Sequence, residues 1–174
     1  FNSDEREKIE FVCLKNSYHG ETLGALSVSD ISLYKDVYGP LLNNVHVVEG
    51  PDSRNIQNET GTIESSLKKL EKLFKEKSQS IAAFIIEPLV QGAAGMVMYD
   101  ATYIKGVRKL CDQYNVHLIA DEIAVGCGRT GTFFACEQAS IWPDFLILSK
   151  GISGGYLPLS LVMTRAAVFD AFYD

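Results

Sequence analysis

"VHLIADEIAVGCGRTG", Val116 to Gly131, decides how this chain is read. It starts as an apolar run of strand type, sets Asp121 and Glu122 side by side, and then becomes a glycine-rich turn with one arginine, Arg129. A carboxylate closing a buried strand is costly unless something pairs with it. Three kinds of site use such a residue: a nucleotide-binding acidic pair, a dinucleotide loop, or an anchor for a positively charged cofactor ring.

Outward from this stretch the same pattern repeats. "IEFVCLK" (9–15), "IAAFIIEP" (81–88), "DFLILSK" (144–150) and "LSLVMT" (159–164) read as further strands, and "VHVV" (45–48) as a short one. Between them, Ile63, Leu67, Leu70, Leu73 and Phe74 keep helical spacing over 62–77. Asp100 reads as the N-cap of a helix with Tyr103, Ile104, Val107, Leu110, Cys111 and Tyr114 on one face. "TLGALSVS" (22–29) reads as a short helix, 165–174 as another, and 30–60 as surface connection apart from "VHVV". Near-continuous apolar strands alternating with amphipathic helices predict an α/β fold, a mostly parallel sheet sandwiched by helices. In such sheets ligands gather at the carboxyl ends of the strands. That rim would hold Tyr18, His19, Glu87, Asp121 and Lys150.

At 174 residues, 47% hydrophobic and 22% charged, the chain has the size and composition of one ordinary globular domain. A net charge of −6 argues against nucleic acid or an anionic membrane surface as the main partner. The apolar runs are too short to span a bilayer. The acidic, polar start does not read as a secretory signal, and without an initiator Met the chain reads as a piece of something longer. The cysteines, Cys13, Cys111, Cys127 and Cys136, form no C-x-x-C pair, and His46 and His117 have no ligand-spaced partner, so no metal site is expected. Free thiols read as small buried hydrophobes of a cytoplasmic protein.

The three candidate sites are not equally supported. A nucleotide hydrolase needs G-x-x-x-x-G-K-[ST], and no such stretch occurs. "GCGRTG" matches G-x-G-x-x-G, but "DEIAV" separates it from the strand it should follow directly. The third site pairs Asp121 with Lys150, 29 positions later at the end of the next strong strand. Alone, Lys150 is a strand-end lysine reaching solvent. Together the two meet the needs of pyridoxal 5'-phosphate, which takes a lysine on its aldehyde and a carboxylate on its pyridine nitrogen. Tyr18 and Ile123 offer covers for the two faces of a flat ring.

"SYHGETLGALSVS", "FIIEPLVQGAAGM", "LIADEIAVGCGRTGTFFACE" and "SKGISGGYLPLS" together resemble the class III aminotransferases, PLP-dependent enzymes of fold type I. The resemblance covers nearly the whole chain and is weakest across 30–80. Ornithine and 4-aminobutyrate enzymes commonly carry a glutamate where this chain has Ala93 and a glutamine where it has Ala124. Alanines there fit a larger, more apolar substrate. They favour the branch that aminates 8-amino-7-oxononanoate with S-adenosylmethionine as donor, in biotin biosynthesis. Another ω-aminotransferase, or a domain that keeps the fold without catalysis, is the alternative, and a lysine-using donor half-reaction stays open.

The resemblance implies roles. Lys150 would be the Schiff-base lysine and proton carrier, its amine desolvated. Asp121 would hold the pyridinium, Tyr18 would stack on the ring and touch substrate, and Ile123 would cover the opposite face. Arg129 would contact substrate or, equally, pin its turn. Glu87 and His19 receive no catalytic role, and Thr130 and Gly131 are read as turn formers. The family's phosphate loop, partner-subunit threonine and C-terminal arginine have no counterpart in these residues. The chain is therefore expected to be part of the cofactor-binding large domain of a homodimer, and inactive by itself.

Overall fold

The computed structural model describes residues 7–54 and 59–172. The central sheet has the strand order β2-β1-β3-β6-β7-β8. Its strands are β1 (Glu10–Leu14), β2 (Val45–Val48), β3 (Ile81–Ile86), β6 (His117–Asp121), β7 (Phe145–Leu148) and β8 (Leu161–Thr164). All neighbours run parallel except β7 and β8, which are antiparallel. A small hairpin, β4 (Val90–Gln91) with β5 (Val97–Met98), stands apart. The sequence reading had not separated this hairpin from the strand before it.

One face of the sheet carries the main core. Helix α3 (Glu59–Lys77) and helix α4 (Ala101–Gln113) lie against it. On α3, Leu70 and Phe74 are fully buried, with Ile63, Leu67 and Leu73 packed at the margin. On α4, Tyr103, Ile104, Val107 and Cys111 are fully buried, with Leu110 and Tyr114 beside them. These are the faces that helical spacing predicts. Each large apolar side chain so buried contributes roughly 1.5–3 kcal/mol. Asp100 caps α4 by accepting the Thr102 amide at 2.8 Å. Gly106 lets the two helices approach, because a Cβ there would lie 2.5 Å from Leu67 Cδ1. The α3 lysines form a solvated face, Lys68 and Lys75 each paired with a glutamate one turn back.

Among the described residues the other face is more thinly covered. Helix α1 (Leu23–Ser27) and a small cluster of Cys13, Val28 and Ile85 pack there, with Phe11, Val45 and Ile119 half-buried. The stretch 30–60 also holds a helix the sequence reading missed, α2 (Ser32–Tyr38). Its described side chains are nearly all exposed and no side chain caps it, so it leaves neither an apolar stripe nor a cap to read. The final helix, α5, spans Ala166–Asp170, and Tyr173–Asp174 lie outside the described residues. No helix among the described residues is long and apolar enough to cross a membrane.

At the amino-terminal edge of the strands, Asp144 ties four segments together. It accepts Arg108 Nη1 and the Leu118 amide, each at 2.7 Å, and faces His117 and Arg165. Burial works against its charge and is the largest single influence. The His117 imidazole, the Leu118 amide and the Arg108 guanidinium together outweigh it and hold the carboxyl well below the usual carboxylate range. His46 likewise bonds Glu10 at 2.8 Å, so both histidines are structural, and no metal-binding cluster occurs among the described residues.

Candidate active site

The parallel register builds the opposite edge. Ile86 of β3 pairs with Ala120 of β6, so the next residues, Glu87 and Asp121, leave the sheet as neighbours. Asp121 in turn pairs with Ile147 of β7, three residues before Lys150. The turn after β1 brings Ser17 to Gly20 over the same edge. The sheet thus gathers Tyr18, His19, Glu87, Asp121 and Lys150 along one rim, as the strand pattern predicts.

Asp121 is almost wholly buried, its side chain 5% exposed. One oxygen accepts the Ile123 amide at 3.0 Å, and the other meets His19 Nδ1 at 2.7 Å. The first bond folds the chain back after the strand and sets Ile123 beside the carboxylate. The second is the main feature that sequence reasoning missed. His19 had no assigned role, yet it is the direct partner of Asp121, with its own side chain 2% exposed. The available signal was physical: a buried carboxylate needs more than one partner, and the only histidine in the rim motifs is His19.

Glu122 has a different task. Its two oxygens accept the Ala135 and Cys136 amides at 2.7 and 2.9 Å and cap the short 3-10 turn Ala135–Ala139. The adjacent carboxylates therefore part, Asp121 to the rim and Glu122 into the core. The glycine turn closes beneath them. The Gly126 amide bonds Glu122 O at 2.8 Å, and a Cβ on Gly126 would lie 2.8 Å from that same oxygen.

Lys150 follows β7 after one residue and opens a 3-10 turn, Lys150–Ile152, with φ +41°. A positive φ at a non-glycine residue is uncommon and marks positions held by their surroundings. Here the hold is tight, because a Cβ on Gly151 would lie 2.7 Å from Cys127 Cβ. Within this chain the Lys150 side chain is exposed. One expectation needs correcting. Cys127 is half-buried at the Lys150 turn and is not a core residue. The other three cysteines are buried, and burial pushes the Cys13 thiol up to about 11 and Cys111 up to about 12.

Glu87 is buried, and its Oε1 accepts the Gly92 amide at 3.1 Å. Burial raises its pKa, Asp121 adds to the rise, and the Gly92 and Tyr18 amides and His19 oppose it. Tyr18 is half-buried next to His19 and donates to Glu21 at 3.0 Å. Beside His19 and Asp121 lies a cavity of about 300 Å³, otherwise lined mainly by apolar groups such as Phe11, Ala25, Ile119 and Ile147.

Arg129 is not brought to Asp121 by any contact. It is exposed, and its guanidinium makes no hydrogen bond or ion pair among the described residues. The turn is held by Gln138, which donates to Thr130 O at 2.7 Å, and by Gly131 at φ +103°. Arg129 and Thr130 border an apolar cavity of about 460 Å³ with Leu89, Met96, Met98, Ala124 and Val125.

A family model, aminotransferase class III, matches residues 2–174. The adenosylmethionine-8-amino-7-oxononanoate aminotransferase of Helicobacter pylori is 52% identical over 172 residues, covering 99% of this chain and 38% of that protein. A crystal structure of the enzyme of that name from Methanocaldococcus jannaschii aligns with a TM-score of 0.84 at 33% identity, over 96% of this chain and 37% of the other. An amine transaminase from an uncultivated Pseudomonas species, in its PLP-bound form, aligns with a TM-score of 0.89 at 33% identity, over 97% and 39% of the two chains. The chain thus spans about 38% of the length of the curated relative it matches.

Proposed function

The chain belongs to the class III aminotransferases, and from that premise we propose that it forms the cofactor-holding core of an enzyme that converts 8-amino-7-oxononanoate to 7,8-diaminononanoate. S-adenosylmethionine is the amino donor in this reading, and the reaction serves biotin biosynthesis. The observation that carries it is the buried Asp121 carboxylate, fixed by His19 and the Ile123 amide at the rim that also bears Lys150.

Pyridoxal 5'-phosphate supplies an electron sink for the bonds around the amine carbon when bound. The residues present fit it. A buried carboxylate at the rim suits a protonated pyridine nitrogen, and an uncompensated charge there would cost about 3–5 kcal/mol. In this reading Asp121 holds the ring nitrogen in its charged form. His19 donates Nδ1–H to Asp121 and fixes the carboxylate plane. Ile123 and Tyr18 cover the two faces of the ring. Lys150 Nζ would hold the cofactor's aldehyde and, once free, could serve as the base and acid that moves the substrate proton. Arg129 offers an uncommitted cation to a substrate carboxylate, and the apolar cavity beside Ala124 suits an aliphatic chain. The working form is a homodimer acting on small molecules, with neither nucleic acid nor membrane as partner.

The test uses the full-length encoded protein loaded with PLP, reduced with borohydride and digested. A pyridoxyl group on Lys150, lost in Lys150→Ala, is the expected result. With 8-amino-7-oxononanoate as acceptor, a panel of S-adenosylmethionine, lysine and ornithine then reads the donor. A folded, full-length protein with no adduct at Lys150 overturns the cofactor reading. An adduct without turnover of 8-amino-7-oxononanoate moves the assignment to another ω-aminotransferase.

A further inference from the structure

Two buried polar atoms at the rim have no hydrogen-bond partner: His19 Nε2 and Glu87 Oε2. They belong to residues on adjoining segments. Glu87 leaves β3 next to Asp121, and His19 comes from the turn after β1 and bonds Asp121. Each has its other polar atom engaged, His19 Nδ1 by Asp121 and Glu87 Oε1 by the Gly92 amide. Two carboxyl groups and one imidazole therefore meet at the rim, His19 and Asp121 lying close enough to influence the ionisation of Glu87. No lysine or arginine among the described residues bonds any of the three. The ring nitrogen's single positive charge would pair with Asp121, which already faces the His19 imidazole and the Ile123 amide. Glu87, buried and with no partner at Oε2, is the group that keeps its proton.

We propose that Glu87 is a positioning residue for the cofactor: as a neutral acid its Oε2–H serves His19 Nε2 in the working enzyme, completing a chain Glu87–His19–Asp121 toward the ring nitrogen. The inference rests on the cofactor reading above. It assigns each proton a place. Glu87 holds one on Oε2, His19 holds one on Nδ1, and Asp121 holds none and accepts from the ring. A donor on Nε2 removes the alternative tautomer, in which His19 would face Asp121 with a lone pair and repel it. The other ionisable groups near Glu87 change nothing in this count. The Tyr99 hydroxyl donates to the Glu87 carbonyl, and burial raises the pKa of that phenol well above its ordinary value. Tyr18 engages Glu21.

The test is nitrogen-15 spectroscopy of the His19 ring in the full-length protein, with and without PLP, in wild type, Glu87→Gln and Glu87→Leu. The expected result is a neutral imidazole protonated on Nδ1 in wild type. Gln, which keeps a donor, is expected to preserve that state and to leave the cofactor's absorbance titration within about 0.3 pH units. Leu is expected to mix the tautomers and to shift that titration by a unit or more. A wild-type His19 protonated on both nitrogens, or on Nε2 alone, overturns the proposal, as does a Gln variant that shifts the titration as far as Leu. If Leu does not fold, the wild-type and Gln spectra decide alone. Failure of the cofactor reading is separate, since it shows as absence of the Lys150 adduct, and the His19 spectra are still read in the unloaded protein.

Discussion

Asp121→Asn is the sharpest perturbation of this site, because the change keeps volume and removes only charge. The wild-type carboxylate is 5% exposed and accepts from His19 at 2.7 Å and from the Ile123 amide at 3.0 Å. Breaking a buried charge pair costs about 3–5 kcal/mol. Asparagine retains one acceptor oxygen, so the lower end applies, about 3 kcal/mol, or roughly a hundredfold at 1.4 kcal/mol per decade. The full-length variant should therefore bind PLP about a hundredfold more weakly, read by fluorescence titration, and lose at least as much in kcat/KM. Glu122→Gln is the matched control, one residue away and equally buried. It loses one charge-assisted acceptor for a backbone amide, about 1.5–3 kcal/mol of stability. Its PLP affinity should stay within about threefold, as the residue makes no contact at the rim. A folded Asp121→Asn protein that binds PLP within threefold of wild type would refute the reasoning, and so would a Glu122→Gln protein with weakened PLP binding and unchanged stability.

Three more outcomes follow from particular contacts. Asp144→Asn should cost about 3 kcal/mol near neutral pH, since it leaves Arg108 buried with a weaker partner. Because the native pKa of Asp144 is depressed, wild type gains this stability above the ordinary value of 3.8 and loses it as pH falls; denaturant midpoints of the two proteins should converge in acid. Glu87 has the opposite sign: its raised native pKa favours the neutral acid, so its contribution is whole below 4.5 and falls away as pH rises through the native value, and Glu87→Gln should flatten that decline. Gly151→Ala drives a Cβ to 2.7 Å from Cys127 Cβ and should cost about 1–3 kcal/mol in positioning Lys150, seen as a tenfold or greater fall in kcat; Cys127→Gly in the same protein should restore part of it.

The parallel strands, α3 and α4 were legible because their signals are local and periodic. Leu70 and Phe74, or Tyr103 and Val107, repeat at helical spacing and are fully buried. The placement of Asp121 and Lys150 at the strand-end rim was legible because each closes an apolar strand. Helix α2 was not, since its exposed side chains carry no stripe. His19 was not, because its partner lies 102 positions away and only the adjacency of β1, β3 and β6 brings them together. The parting of Asp121 and Glu122 was hidden for the same reason: the Ala135 and Cys136 amides that claim Glu122 are set by a turn, not by a pattern.

The antiparallel return of β8 has a mechanical consequence. The segment that carries Lys150 departs from β7 and lands on the adjacent strand, so both of its feet stand on one sheet. The Ser149 hydroxyl, bonded to Leu159 O at 2.7 Å across ten residues, cinches the neck of that span. The entropy of closing such a ring is charged once, when the protein folds. If Lys150 serves as proposed, nothing further is charged when Nζ changes partners. Lys150 would then behave as a boom on a fixed pivot, all of its travel lying in the four-carbon stem, whose rotations take picoseconds to nanoseconds where the side chain is exposed. In that reading the chemistry at Nζ, and not the slower breathing of a loop, would set the tempo of proton delivery.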